Sequence, residues 1–398
     1  MKLNLSKLEN LGDERLSFFI CTYILSSSFN AIIKTIFPIS DTDWSTVSNF
    51  FSLLIIITLI IALPAIIKRQ GFKLFILEIV FFVLYLISYF TGFAKQDVLF
   101  DAAFWTLFVC LPIAVAGISV YNKDTLFKFL TKSFLVEFPF LCIALLSLRY
   151  GELGTVRSTY SMTISYMLVL PILFFFHLYF HHNKPINLFF SLFGTVLIVL
   201  FGARGPLLCV LFYLLIHFFI QSLVLKKIIY VCLTVIIIGL LIGYADVLIQ
   251  KINLFLFNAG INSYVLNRLI SGNIAESTAR VELANYYLDL IDKRPFLGYG
   301  LTGGWLEKGL GPHNAFLELY LAFGYFGGTL ISLFLIILLL CTLFNKTKAI
   351  NGLLLILATY VYPQLMLSGG ILVNPLCFLF IFLATQNTFR VVTIKDNI

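Results

Sequence analysis

Arg204, Arg280 and His313 are the residues of this sequence whose types and positions suit chemistry on an anionic substrate. Arg204 lies in the run Gly202-Ala203-Arg204-Gly205-Pro206-Leu207-Leu208, between two apolar stretches too long together for one membrane crossing. A tight turn there presents a planar fork of donors that matches phosphate or carboxylate oxygens. Arg280 opens the segment 277–291, which reads as an amphipathic helix: Ser277 is a cap, Val281, Ala284, Leu288 and Ile291 recur at helical spacing, and Pro295 ends it. His313 follows Pro312 and precedes Asn314 at the mouth of another apolar run. Guanidinium groups neutralise developing phosphate charge, and an imidazole beside them serves as a general base. A lone histidine at a helix start also serves as a cap or interfacial group. Arg149 and Arg157 read as snorkelling anchors or as anion ligands, Arg157 more as a ligand than Arg149, and Glu318 either orients His313 or simply begins its span.

Other chemistries find less support. Among the carboxylates of the outer segments, which include Asp101, Glu152, Glu276, Glu282, Asp289, Asp292 and Glu318, no Asp-x-Asp or His/carboxylate spacing suggests a metal site, so the reading is metal-independent and needs no cofactor. The seven cysteines all lie in apolar runs, none in a Cys-x-x-Cys pair, and read as small core residues. No cluster of five or six Lys/Arg accompanies the formal charge of +8, which argues against nucleic acid. Glu78 reads as the one acidic residue near a span centre, either functional or bonded to a neighbouring hydroxyl.

The elements that must position these residues are membrane helices. Of 398 residues, 60% are hydrophobic and 12% charged, with 43 phenylalanines and a mean hydropathy of +1.00. An ordinary soluble domain is about 25% charged, and the apolar runs have the length of a bilayer crossing. The sequence predicts an all-α, polytopic helical bundle of about 12 transmembrane helices. The windows fall near 16–37, 46–67, 72–92, 98–120, 133–148, 159–181, 186–203, 206–225, 228–249, 314–344, 350–368 and 372–389. The chain thus divides into helices 1–9 (residues 1–249), one long external loop (250–313) carrying the amphipathic helix, and helices 10–12 (314–398). With a cytoplasmic N-terminus the inside segments hold sixteen Lys/Arg and the short outside segments five, so both termini are expected in the cytoplasm and the long loop outside. Glycines 298, 300, 303 and 304 make that loop permissive in backbone angle. Gly324 and Gly327 read as close-packing positions within a continuous tenth span.

Together the turn arginine, the loop arginine, the long outer loop and the run Pro312-His313-Asn314-Ala-Phe-Leu-Glu318-Leu-Tyr-Leu-Ala-Phe-Gly324-Tyr-Phe-Gly327-Gly resemble the O-antigen polymerase and ligase superfamily, with motifs over roughly residues 195–330. The resemblance implies a glycosyltransferase of the inner (cytoplasmic) membrane. Its substrate would be an undecaprenyl-pyrophosphate-linked oligosaccharide, drawn from the lipid bilayer and used on the outer face, with a chain-length regulator protein as a further partner. Arg204 and Arg280 would bind the pyrophosphate and stabilise it as it leaves. His313 would take the acceptor proton, and inversion at the anomeric carbon follows from attack on the opposite face. Arg157, Asn314 and Glu318 would complete substrate binding. Extra external arginines suit a second anionic lipid, which favours a polymerase of repeat units over a ligase transferring the glycan to lipid A core. A transporter or lipid-linked sugar flippase is the alternative from another class. It would show interrupted helices and charged relays in the spans, and these spans are nearly free of charge.

Overall fold

The computed structural model describes residues 2–37, 41–91, 93, 95–147, 161–201, 204–221, 251, 254–255, 258, 278–303, 312, 314–344, 351–367 and 370–395. Every regular element among them is helical: α1 (Lys2–Ile36), α2 (Asp41–Gln70), α3 (Lys73–Thr91), α4 (Gln96–Trp105), a π-helical turn (Thr106–Cys110), α5 (Leu111–Ser119), α6 (Lys123–Ser147), α7 (Met162–His182), α8 (Pro185–Phe201), α9 (Arg204–Gln221), α10 (Thr278–Lys293), α11 (Ala315–Phe344), α12 (Asn351–Leu367) and α13 (Pro375–Lys395). Hydrocarbon offers no partner to a backbone N–H or C=O, so a run of apolar residues crosses it as a helix. Seven helices are long and apolar enough to cross a membrane, and four shorter apolar ones cover 185–200, 205–219, 352–367 and 375–388. Eleven of the twelve expected windows therefore coincide with apolar helices. The ninth, 228–249, lies outside the described residues.

The chain divides into two compact units: 1–26, 49–132 and 279–398 form the first, 27–48 and 133–278 the second. In the first, an ion pair fastens three segments. Arg69 near the end of α2 pairs with Asp13 of α1, both buried. Asp13 also accepts from the backbone N–H groups of Tyr121 (2.8 Å) and Asn122 (3.1 Å), where α5 gives way to α6. Arg69 donates to the carbonyls of Ser119 and Glu9, each at 2.7 Å, and its guanidinium lies 4.2 Å over the Tyr121 ring. Both oxygens of Asp13 and both terminal nitrogens of Arg69 are thus matched, as charges removed from water require.

The π-helical turn has a local cause. Pro112 follows it and has no N–H to return to the preceding turn, and the extra residue keeps the span continuous. Thr106 in that turn donates to the Leu372 carbonyl at 2.7 Å and receives the Tyr85 hydroxyl at 2.7 Å, joining α3, the π turn and the α12–α13 connection.

The second unit packs α6, α7, α8 and α9 through aromatic side chains. Phe134 meets Phe174 (ring centroids 4.6 Å), and Phe138 meets Phe175 and Phe190. Ser161 caps α7 by accepting the Ile164 N–H, and Asn183 closes it in the left-handed conformation. His177, near the inner end expected for α7, shares a 3.2 Å hydrogen bond with Tyr213 of α9, while His217 stacks on Phe180 at 4.2 Å.

Because Arg69 and Asp13 are buried against one another, removing one leaves the other's charge stranded. Asp13→Ala or Arg69→Ala should lower stability by about 3–5 kcal/mol, read as a fall in detergent thermal unfolding temperature. Replacing both by apolar residues should recover most of that loss.

Candidate functional site

The amphipathic helix forms where the sequence places it. α10 runs from Thr278 to Lys293 and stops two residues before Pro295. Its buried face is only partly the expected one: Ile291 is buried as expected, but Leu288 is not. Leu283, Tyr287, Leu290 and Ile291 pack with Tyr299 and Leu321, whereas Leu288, assigned to the buried stripe, is 45% exposed. Both stripes have helical spacing. The neighbours decide between them: Tyr286, Leu317, Tyr320 and Phe93 close around the second. Burial there pushes the Tyr287 phenol above its ordinary pKa.

The expected continuous tenth span is also corrected. α11 breaks at Gly324, whose φ of 67° and ψ of −175° lie outside the helical region and are reached essentially by glycine alone. The loop after α10 enters the break. Tyr299 N–H donates to the Leu321 carbonyl (2.7 Å), Gly300 N–H to Ala322 (3.0 Å), and Tyr325 N–H to Pro295 (2.6 Å). The carbonyls orphaned at the end of the first half-helix and an amide at the start of the second are thereby matched. The approach is so close that a Cβ on Gly324 would lie 2.5 Å from the Pro295 oxygen, and one on Gly298 (φ 64°) 2.5 Å from that of Leu321. Gly324 is therefore a backbone crossing, not a helix-packing glycine.

Further contacts fix the loop against α3. Ser88 Oγ accepts the Leu301 N–H at 2.9 Å, and the Leu301 side chain is buried with Tyr85, Leu99 and Ala102. The Arg294 guanidinium lies 3.7 Å over Phe93 and 5.3 Å from Tyr299, while Tyr325 donates to Asp292 at 2.6 Å.

Two of the six expected site residues meet at the start of α11. Asn314 caps it, its Oδ1 accepting the N–H groups of Phe316 (3.0 Å) and Leu317 (3.2 Å), and its Nδ2 donates to the Met366 carbonyl at 3.3 Å. Glu318, one turn on, accepts the Ile371 N–H at 3.0 Å, with Gly370 so near that a Cβ there would sit 3.1 Å from Oε2. Asn314 ties the helix start to the last turn of α12 and Glu318 ties it to the α12–α13 connection. His313 and Arg157 lie outside the described residues. Arg204 begins α9, with Gly205 and Pro206 in its first turn, and Arg280 lies in the first turn of α10; the side chains of both are outside the described residues. α9 begins two residues earlier than expected, at Arg204, which puts Pro206 in the first turn, where its missing N–H costs nothing.

Two further features went unnoticed in the sequence. Glu137, not only Glu78, is an acidic residue within a span. It is 1% exposed in α6, accepts the Ser28 hydroxyl at 2.5 Å, and its second oxygen has no partner among the described residues. Its position between Val136 and Phe138 in the fifth window was the available signal. An apolar groove of about 660 Å³ lies between α3 and α4, lined among others by Phe82, Tyr85, Tyr89, Phe100, Asp101 and Phe108. Among the described residues no group of three or more His, Cys, Asp or Glu could hold a metal ion.

Residues 188–332 match the family described as O-antigen ligase, from α8 to the second half-helix of α11. No curated protein and no solved structure matches the chain. The chain is thus a multi-pass membrane protein in which the segment 188–332 is similar to the O-antigen ligase family.

Gly324→Ala should undock the loop, since neither its φ nor the Pro295 carbonyl leaves room for a methyl group. Limited proteolysis should cut within 294–303 in the variant and spare wild type.

Proposed function

We propose that this protein is a polymerase of polyprenyl-pyrophosphate-linked oligosaccharide repeat units, working by inverting, metal-independent glycosyl transfer on the outer face of the cytoplasmic membrane. The observation that carries the reading is the family match over 188–332. Five of the six residues singled out by type and spacing fall inside it: Arg204, Arg280, His313, Asn314 and Glu318.

The acceptor hydroxyl oxygen forms a bond to the anomeric carbon of the donor sugar. The bond from that carbon to the pyrophosphate oxygen breaks, and its electron pair leaves with the pyrophosphate. His313 takes the hydroxyl proton. Arg204 and Arg280 stabilise the charge gathering on the leaving group, which fixed guanidinium donors do without rearrangement. Asn314 and Glu318 act one step removed. By anchoring the start of α11 to Met366 and Ile371 they fix the helix start that His313 precedes in the sequence, so the roles proposed for them are positioning ones. Arg157 is assigned to the second anionic headgroup, which a polymerase must hold and a ligase need not. The groove between α3 and α4 suits an isoprenoid tail, being almost wholly apolar and bordered by exposed side chains such as Phe100 and Phe104. The cytoplasmic location of both termini follows from the distribution of Lys and Arg and is part of the same proposal. The ligase reading, with lipid A core as acceptor, is favoured by the family's own description.

Purified chain reconstituted with polyprenyl-pyrophosphate repeat units should yield a ladder of lengthening glycans; product formed only when lipid A core is added would select the ligase instead. His313→Ala should lower kcat by about 10²–10⁴-fold, and Arg204→Ala or Arg280→Ala by about 10²–10³-fold; unchanged turnover in all three would overturn the site. Ala103→Trp, which fills the groove, should raise KM for the lipid-linked donor and leave kcat nearly intact.

A further inference from the structure

The turn between α10 and α11 carries the two most exposed large hydrophobic side chains among the described residues, Phe296 at 81% and Leu297 at 88%. They are adjacent and stand at the tip of a turn whose flanks are bound to the break in α11. We propose that this turn is a membrane-inserting wedge, with Phe296 and Leu297 entering the acyl-chain region of the leaflet that faces the loop end of the bundle. The inference is independent of glycosyl transfer and requires only that the chain spans a bilayer.

The register of α11 sets the depth. Its first half-helix faces protein: Ala315, Leu319, Leu321 and Ala322 are buried. From the break onward an apolar face lies open, beginning with Phe326 at 72% and continuing through Leu330, Leu333, Ile337, Leu340 and Phe344. Tyr325 to Phe344 is twenty residues, about 30 Å of helix, which matches the hydrocarbon thickness. The lipid-facing surface thus begins at Tyr325, the residue whose N–H donates to Pro295 beside the wedge. α3 reaches the same level, because Ser88 holds Leu301 and the next residues, Tyr89 and Phe90, are exposed.

Non-helical backbone is tolerated at that depth only when its polar groups are matched. The flanks of the turn meet that condition, with Gly298 donating to Arg294, Tyr299 to Leu321, Gly300 to Ala322 and Tyr325 to the Pro295 carbonyl; Phe296 and Leu297 insert their side chains while their backbone stays at the headgroup level. The flanking side chains suit the interface. The Arg294 guanidinium is spread over the Phe93 and Tyr299 rings, Tyr325 is bonded to Asp292, and Asp289, Asp292 and Lys293 are exposed. Aromatic rings and a snorkelling cation at one level, with bare Phe and Leu beside them, mark a headgroup boundary. Acyl chains are the occupant because Phe296 lies against Gly324, two residues before Phe326 begins the exposed apolar face of α11.

The test uses full-length protein in phospholipid vesicles, with a nitroxide attached to Leu297→Cys and, separately, Phe296→Cys. Labelled wild type is subtracted as background for the native cysteines. Ile337→Cys serves as the lipid reference and Asp289→Cys as the aqueous one. Oxygen collisions exceeding nickel-chelate collisions at 296 and 297, as at 337, would support insertion. Nickel-chelate collisions matching those at 289 would overturn it. Spin–spin broadening between labels would overturn it in favour of a second copy of the chain, and inaccessibility to both reagents in favour of a protein cover.

Discussion

The crossing of two backbones at Gly298 and Gly324 is the constraint on which the first unit depends. A helix interrupted near a bilayer exposes carbonyls and amides that hydrocarbon cannot match, and each would cost several kcal/mol there. The loop after α10 supplies the missing partners for Leu321, Ala322 and Tyr325. In return it is held firmly enough to carry irregular structure at the membrane edge. Both glycines have positive φ, and both lack the Cβ that would strike the opposite strand of backbone. Around this crossing the apolar face of α10, the Arg294 cation over Phe93, and the Ser88 bond to Leu301 read as consequences. None of them would form if the loop stood away from the helix.

The break also divides one long apolar segment into two functions. Its second half is the membrane crossing. Its first half is a short protein-facing helix begun by Asn314 and anchored by Glu318 to the α12–α13 connection. A carboxylate so placed serves the backbone first. In the proposed mechanism, its influence on His313 passes through the position of the helix start.

Much of this was legible in the residues and the rest for definite reasons was not. Helices were legible because an apolar run of twenty residues has one stable form in lipid, and Pro295 and Pro206 mark boundaries close to those observed. The break at Gly324 was hidden because the hydropathy of 314–344 never falls; what ends the helix is a partner backbone thirty residues earlier, and only folding brings the two together. The buried face of α10 was misjudged because Leu288 and Tyr287 both occupy helical stripes, and the choice belongs to Phe93, Leu317 and Tyr320. Glu137 escaped notice because an acid among Phe and Val reads as an interruption until Ser28, 109 residues away, accounts for one of its oxygens. The arginines and the histidine stood out because in a chain with 12% charged residues a cation on the face that disfavours it needs another reason to be there.

Scarcity of charge in the apolar helices favours the proposed chemistry at the membrane surface over passage through it. The most direct test labels a polyprenyl-pyrophosphate-linked glycan separately in its lipid and in its sugar and follows both in vesicles holding the purified protein. The account predicts one polyprenyl pyrophosphate released for each new glycosidic bond, entirely on the face that carries the loop. Movement of the intact lipid-linked glycan to the other leaflet, with no new bond and no released pyrophosphate, would contradict it.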